Sequence, residues 1–274
     1  MIERLRDDTL NLMKIPGLSG HEDKVRDYIK EAVKKIGLTP TFDKLGNLTI
    51  TFPGTSPRVM LFTHMDQLGL VVRKIEDDGY LRFERVGGVP EKILLGQNIS
   101  VIAKNGKELS GIIGTKSHHA TQPDEKYKVP SYRDLYIDLG LRTASEVRAN
   151  GIDIGSPIVY KPSAEVIGDE KIIGTSVDDR AGCAVLLEVA RQINSRAAGP
   201  EINIVFTVQE EFNLRGALPV AQKIKPEIAI QIDLLLASDT PDMRDFGEIK
   251  LGEGPGISMF SFHGRGTLNG VIPH

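Results

Sequence analysis

Four short stretches of this chain end an apolar run in groups able to hold a cation or move a proton. Thr63-His64-Met65-Asp66 closes the run that begins at Val59. The two-residue period of a strand puts His64 and Asp66 on one side, so the carboxylate lies near the imidazole or shares its site. A metal-bound imidazole needs an acceptor for its other N–H, and this spacing supplies one; the same pair also suits a hydrogen-bonded structural histidine. Val177-Asp178-Asp179-Arg180 precedes the apolar run 184–187. Two successive carboxylates there suit a helix cap with an acidic first turn, or chelation in which one carboxylate bridges two cations. The apolar stretch 202–206 leads into Thr207-Val208-Gln209-Glu210-Glu211. So apolar a strand reads as central, and two acids at its end need a cation or water. Neighbours on an extended chain point opposite ways, so Glu210 and Glu211 would have different jobs, one on metal and one on a proton; a solvated loop after the strand is the alternative. Ala229-Ile230-Gln231-Ile232-Asp233 repeats the theme, with a turn cap as the alternative. Taken together, one histidine and several carboxylates at four strand ends are donors that suit Zn, Co or Mn. No GxSxG elbow, Walker loop or dinucleotide fingerprint offers a rival chemistry.

Open α/β sheets place ligands at strand ends, and the flanking sequence provides such a sheet. Residues 1–40 read as two helices: Leu5, Leu10, Leu12 and Met13 cluster in the first, and Ser19 with Glu22 has capping-box spacing before Val25, Tyr28, Ile29 and Val33 in the second. Strands follow at 48–52 and 59–63, separated by the turn-rich Pro53-Gly54-Thr55-Ser56-Pro57. From residue 180 to about 195 the pattern is helical, then strand at 202–208, helix at 214–224 and strand at 228–232, an alternation that argues for an α/β sheet. Between 67 and 163 the texture changes to short apolar runs broken by Asp77-Asp78-Gly79, Gly87-Gly88, Asn105-Gly106 and Gly155-Ser156-Pro157, the pattern of a small β-rich module. The expected organisation is an α/β domain formed by residues 1–66 and 164–274, interrupted by an inserted β domain at 67–163.

The balance of 34 basic against 37 acidic residues, net −3 over 274 residues, gives no attraction for a polyanion and argues against nucleic-acid binding. No run approaches the ~18 apolar residues of a membrane span, and the charged start lacks a signal-peptide pattern, so a cytoplasmic protein with no membrane association is expected. The single cysteine, Cys183, forms no internal disulfide and sits among Ala and Val, where burial is expected. His118-His119 reads as a loop or an oligomer contact, because adjacent histidines rarely chelate one ion together.

The stretches 63–69, 176–182 and 207–211, together with Leu214-Arg215-Gly216-Ala217 and Asp239-Thr240-Pro241, resemble the glutamyl aminopeptidase and TET family of cytosolic dinuclear metallo-aminopeptidases from the N-terminal helices to about Gly256. The resemblance implies an α/β mixed-sheet catalytic domain of the phosphorylase/hydrolase-like kind, interrupted by a β-barrel-like domain that mediates homo-oligomerisation, dimer-based and up to a dodecamer. It implies two divalent metal ions, Zn or Co, with Mn also suitable. His64 and Asp233 would bind one, Asp178 would bridge both, and Glu211 would bind the second. Glu210 would be the general base, Asp66 would orient His64, and the Asp178–Asp179 bond would be cis. Peptides are the implied substrates.

Three departures qualify the resemblance. The family pattern continues beyond His274 to an Arg-Tyr-x-His stretch that supplies the last histidine of the second metal, so a chain lacking its C-terminal segment is expected; His263 and His274 do not match that motif. Gln67 stands where many members have Glu, and Phe212-Asn213 replaces an aliphatic-Gly pair. Besides the aminopeptidase, two alternatives follow: a catalytically impaired scaffold that keeps fold and self-association, and a glycosidase. Adjacent Glu210 and Glu211 do not flank a glycosidic bond at ~5 Å or more, and the chain has no Trp to stack sugars.

Overall fold

The computed structural model describes residues 1–195, 199–259, 261–262 and 270–271. It divides into two compact units, Met1–Ile232 and Asp233–His274.

The first unit opens with α1 (Ile2–Met13) and α2 (Asp23–Lys35), followed by β1 (Thr41–Phe42), β2 (Leu48–Phe52) and β3 (Thr55–His64). A barrel follows, built from β4 (Gly69–Ile75), β5 (Leu81–Val86), β6 (Asn98–Ile102), β7 (Glu108–Gly114), β8 (Tyr136–Asp138) and, after α3 (Ala144–Ala149), β9 (Pro157–Tyr160). The ribbon β10 (Ala164–Ile167) and β11 (Lys171–Gly174) leads to α4 (Val177–Ile193), β12 (Pro200–Thr207), α5 (Ala217–Ile224) and β13 (Ile228–Gln231).

The main sheet has the order β1-β2-β12-β3-β13. β3, β12 and β13 are parallel, and β2 runs antiparallel to β12, so the sheet is mixed. β12 is central, as its apolar run predicts: Ile204 and Phe206 face one core cluster and Val205 the other. In α2 the spacing of Val25, Ile29 and Val33 makes one apolar face, and all three are fully buried. They join Cys183, Ala184, Leu186 and Leu187 of α4 over Leu48, Ile50, Ile204 and Phe206. Each buried aliphatic side chain contributes about 1.5–3 kcal/mol, so this layer anchors the sheet whose ends carry the acids. Val220 of α5 packs with Met60 and Val205 on the opposite face.

Three boundaries depart from the sequence expectation. β3 begins at Thr55, inside the turn-rich segment, because Thr55 N–H is donated to Gly199 O and a register shift between Pro200 and Glu201 lets Ser56-Pro57 pass without ladder bonds. α5 begins at Ala217 and not at 214, because Asn213 and Leu214 have φ of 69° and 53°. Ser19 and Glu22 form no capping box: Glu22 occupies the cap position of α2 without a side-chain cap bond, and its carboxylate is used elsewhere.

The barrel closes in the order β4-β5-β8-β7-β6-β9 around Leu70, Val72, Phe83, Val101, Ile113 and Ile137. Leu70 pairs with Ile158, so the chain enters and leaves the barrel on neighbouring strands. No helix among the described residues is long and apolar enough to cross a membrane. In the second unit, β14 (Ser261–Phe262) pairs antiparallel with β15 (Gly270–Val271), and Asp239-Thr240-Pro241 opens a turn closed by Met243 N–H to Thr240 O.

Candidate active site

β3 ends in His64, which is 2% exposed. Two bonds tie this end to the central strand: Met65 N–H to Thr207 O at 2.8 Å, and Thr207 Oγ1–H to Thr63 O at 3.0 Å. The imidazole is addressed from both sides. Its Nδ1 lies 3.1 Å from the carbonyl oxygen and 3.5 Å from Oδ1 of Asp66. Its Nε2 lies 3.0 Å from Asp178 Oδ1 and 3.9 Å from Glu210 Oε2. Residues far apart in sequence thus converge on one ring.

The two aspartates at the start of α4 have separate surroundings. Their backbone is not helical (φ −78°, ψ 113° at Asp178; φ −116°, ψ 46° at Asp179), and the bond between them is cis. Asp179 is fully buried, accepts Gly182 N–H at Oδ1 (2.9 Å) and takes the hydroxyl of Thr63 at Oδ2. It therefore serves as the helix cap, while Asp178, with its side chain half exposed, turns to His64. Gly182 is required by this contact, since a Cβ there would stand 2.5 Å from Asp179 Oδ1 and 2.6 Å from Thr63 Oγ1.

Arg180, fully buried, joins the same two segments: its Nη1 donates to Met65 O, and its Nη2 to Ile15 O and Gln67 Oε1, both at 3.3 Å. Gln67 Oε1 also accepts Gly17 N–H at 3.0 Å. Burial lowers the Arg180 pKa, and the neutral amide of Gln67 supplies an acceptor where a glutamate would supply a charge. Cys183 is buried beneath the site, its Sγ donating to His64 O, and burial pushes its thiol up to about 12.

Glu210 and Glu211 diverge for a reason other than strand alternation. β12 ends at Thr207, and Gln209 adopts φ 55°, so the acids sit in a turn. Glu210 N–H is donated to Asp66 Oδ1 at 2.9 Å and Glu211 N–H to Asp66 Oδ2 at 3.1 Å. Asp66, fully buried, therefore holds the glutamate backbone as well as facing the histidine.

Burial would lower the His64 pKa, but hydrogen bonds to Asp178 and Asp66 outweigh it and hold the ring well above its ordinary value. Burial likewise opposes ionisation of Asp66, and its bonds with His64 and the Glu210 N–H overcome this and keep its pKa low. Glu211 is pushed up to about 8, first by burial and then by the charge of Asp178. So many carboxylates around one imidazole form a donor set that fits divalent cations, which would offset their mutual repulsion.

Asp233 opens the second unit, directly after Ile232, whose N–H is donated to Phe62 O; Asp233 Oδ1 accepts Leu234 N–H at 2.8 Å. His118 and His119 lie in an exposed turn, their rings edge to face at 5.9 Å. His263 and His274 lie outside the described residues. Phe212 is 40% exposed, with the Arg215 guanidinium 4.8 Å above its ring. Sequence reasoning overlooked Asn47, fully enclosed beside the glutamate turn, and took Glu22 for a helix cap. The only sequence cue to Asn47 was its position after Asp43, which accepts the backbone N–H groups of Leu45, Gly46 and Asn47.

A family profile described as M42 glutamyl aminopeptidase matches residues 46–268. SgcX of Escherichia coli, a protein named as a candidate aminopeptidase, is 36% identical over 271 residues, covering 98% of this chain and 72% of its own. Among solved structures, an aminopeptidase from the archaeon Desulfurococcus kamchatkensis superposes with a TM-score of 0.86 at 34% identity, over 93% of this chain and 69% of that one. The TET1 peptidase of Pyrococcus horikoshii, described as assembling into a tetrahedron or a large octahedral shell, superposes with a TM-score of 0.81 at 30% identity, over 91% and 73%.

Proposed function

The chain belongs to the M42 glutamyl aminopeptidase family, and from that premise we propose that it removes N-terminal residues from peptides in a metal-dependent reaction whose work its side chains divide as follows. His64 and Asp233 would hold one divalent cation, Asp178 would bridge to a second, and Glu211 would complete the protein's share of that second site. The observation that carries this reading is the placement of Asp178 Oδ1 and Glu210 Oε2 at 3.0 and 3.9 Å from one imidazole nitrogen. Nitrogen and oxygen donors of this kind suit Zn, Co or Mn.

When bound, such cations lower the pKa of water and polarise the scissile carbonyl. Glu210 takes the proton from the attacking water and delivers it to the leaving amine. Asp66 keeps the His64 ring oriented through Nδ1 and holds the glutamate backbone at fixed height. The carboxylates around the site attract the free α-ammonium of a peptide, which limits cleavage to the first residue. The barrel would mediate self-association, from dimers to shells of the kind described for TET1. The reading includes a cytoplasmic location, in keeping with a single, buried cysteine.

The test is turnover of a panel of aminoacyl-p-nitroanilides by protein loaded with Zn, Co or Mn. Hydrolysis of free but not N-acetylated substrates, abolished by chelator and restored by metal, is expected. Metal binding without turnover of any substrate would favour the inactive scaffold.

A further inference from the structure

Four consecutive backbone N–H groups beyond β12 are each taken by a side chain from elsewhere in the fold. Val208 donates to Asn47 Oδ1 at 2.9 Å and Gln209 to Glu22 Oε1 at 3.1 Å; Glu210 and Glu211 donate to the two oxygens of Asp66. The Asp66 bonds belong to the site already described. Asn47 and Glu22 have no place in that chemistry, yet they are 1% and 4% exposed and are themselves pinned. Glu22 Oε1 also accepts Gly20 N–H at 2.6 Å. Asn47 Nδ2 donates to Asp43 Oδ2 at 2.6 Å and to Gly216 O at 3.1 Å. Asn47 therefore holds both ends of the turn that runs from Val208 to Gly216.

Between these anchors Gln209 keeps a φ of 55°, which a side-chain-bearing residue adopts only when its surroundings impose it. That residue turns the chain out of the strand direction immediately before Glu210. We infer that Glu22 and Asn47 are positioning residues that impose this turn and so set where Glu210 and Glu211 stand relative to His64. A buried carboxylate is costly to keep without a hydrogen-bonding task, and the Gln209 N–H, itself beside the site, gives Glu22 one. The catalytic consequence rests on the aminopeptidase reading; the positioning itself does not.

The test compares wild type with Glu22→Ala and Glu22→Gln by hydrogen–deuterium exchange of the peptide spanning 206–213, by kcat and KM on an aminoacyl-p-nitroanilide, and by the visible spectrum of the cobalt-loaded protein. Glu22→Ala is expected to lose amide protection at 209–211, to alter the cobalt spectrum and to lower kcat about 10- to 100-fold with KM little changed. Glu22→Gln retains an oxygen acceptor and is expected to keep most of the protection. Should Glu22→Ala fail to fold, Glu22→Asp, which keeps the charge but shortens the reach, is expected to show the same local loss of protection. Unchanged exchange at 209–211 in the shortened variants, or Glu22→Gln as unprotected as Glu22→Ala, would overturn the inference. A wild type inactive on every substrate would defeat the aminopeptidase reading while leaving the exchange comparison to decide the positioning.

Discussion

His64 Nε2 stands 3.0 Å from Oδ1 of Asp178, a carboxylate 114 residues further along the chain. The contact depends on the residue after it. Asp179 is committed to Gly182 N–H and to the Thr63 hydroxyl, which leaves the Asp178 side chain directed at the ring.

Gly182→Ala should break that arrangement, because the new methyl has no room beside Asp179 and Thr63. Overpacking of this kind costs about 1–3 kcal/mol. Urea denaturation should show the loss and titration calorimetry with Mn should show weaker binding. Wild-type values in both would mean that the helix start relaxes without moving Asp178.

Glu210→Gln keeps the shape of the side chain and removes its capacity to accept a proton. Peptide hydrolysis should fall by roughly 10²- to 10⁴-fold, while elemental analysis finds metal content close to wild type. Retained turnover would assign the base elsewhere.

Acid stability should depend on Glu188, whose carboxylate receives Arg4 Nη2 at 2.6 Å and Arg191 Nη1 at 3.2 Å. The bond with Arg4 is the main reason that Glu188 is lowered from 4.5 to about 2. A carboxylate depressed on folding stabilises the native state fully above its unfolded pKa, and that contribution fades as pH falls through the folded value. Glu188→Gln should therefore be less stable than wild type near pH 6, by roughly 1 kcal/mol for a partly exposed ion pair, with the difference closing toward pH 2. Thermal melts across that range would show it; a constant gap would mean that charge is not the cause.

Removal of the barrel is made practicable by the pairing of Leu70 with Ile158, which brings its entry and exit side by side. Replacing residues 69–160 with a short Gly-Ser linker should leave a folded α/β unit that sediments as a smaller species than the intact chain. Identical association states of the two would show that the contacts between copies lie outside the barrel.

Much of the architecture was legible because it rests on local pattern. The run 202–206 announced a central strand, and β12 is central; the spacing of Val25, Ile29 and Val33 announced the buried face of α2. Turn chemistry was less legible. Pro57 marked a turn in sequence but lies inside β3, since a register shift in the neighbouring strand accommodates it. Glu22 had the spacing of a cap but holds Gln209, because a carboxylate bonds whichever N–H the fold brings near.

The sequence by itself determined the main helices and the central strands, and that a histidine and several acids lie at or just beyond strand ends, since periodicity and strand-end polarity are written in neighbouring residues. Only the tertiary structure decided that Asp179 is taken by Gly182 N–H and the Thr63 hydroxyl, that Asp66 carries the backbone of Glu210 and Glu211, and that Asn47 clamps the turn from Val208 to Gly216. Each of those choices rests on a hydrogen bond between groups distant in sequence, and its partner exists only once the sheet has aligned β3 with β12 and α4 has packed across them.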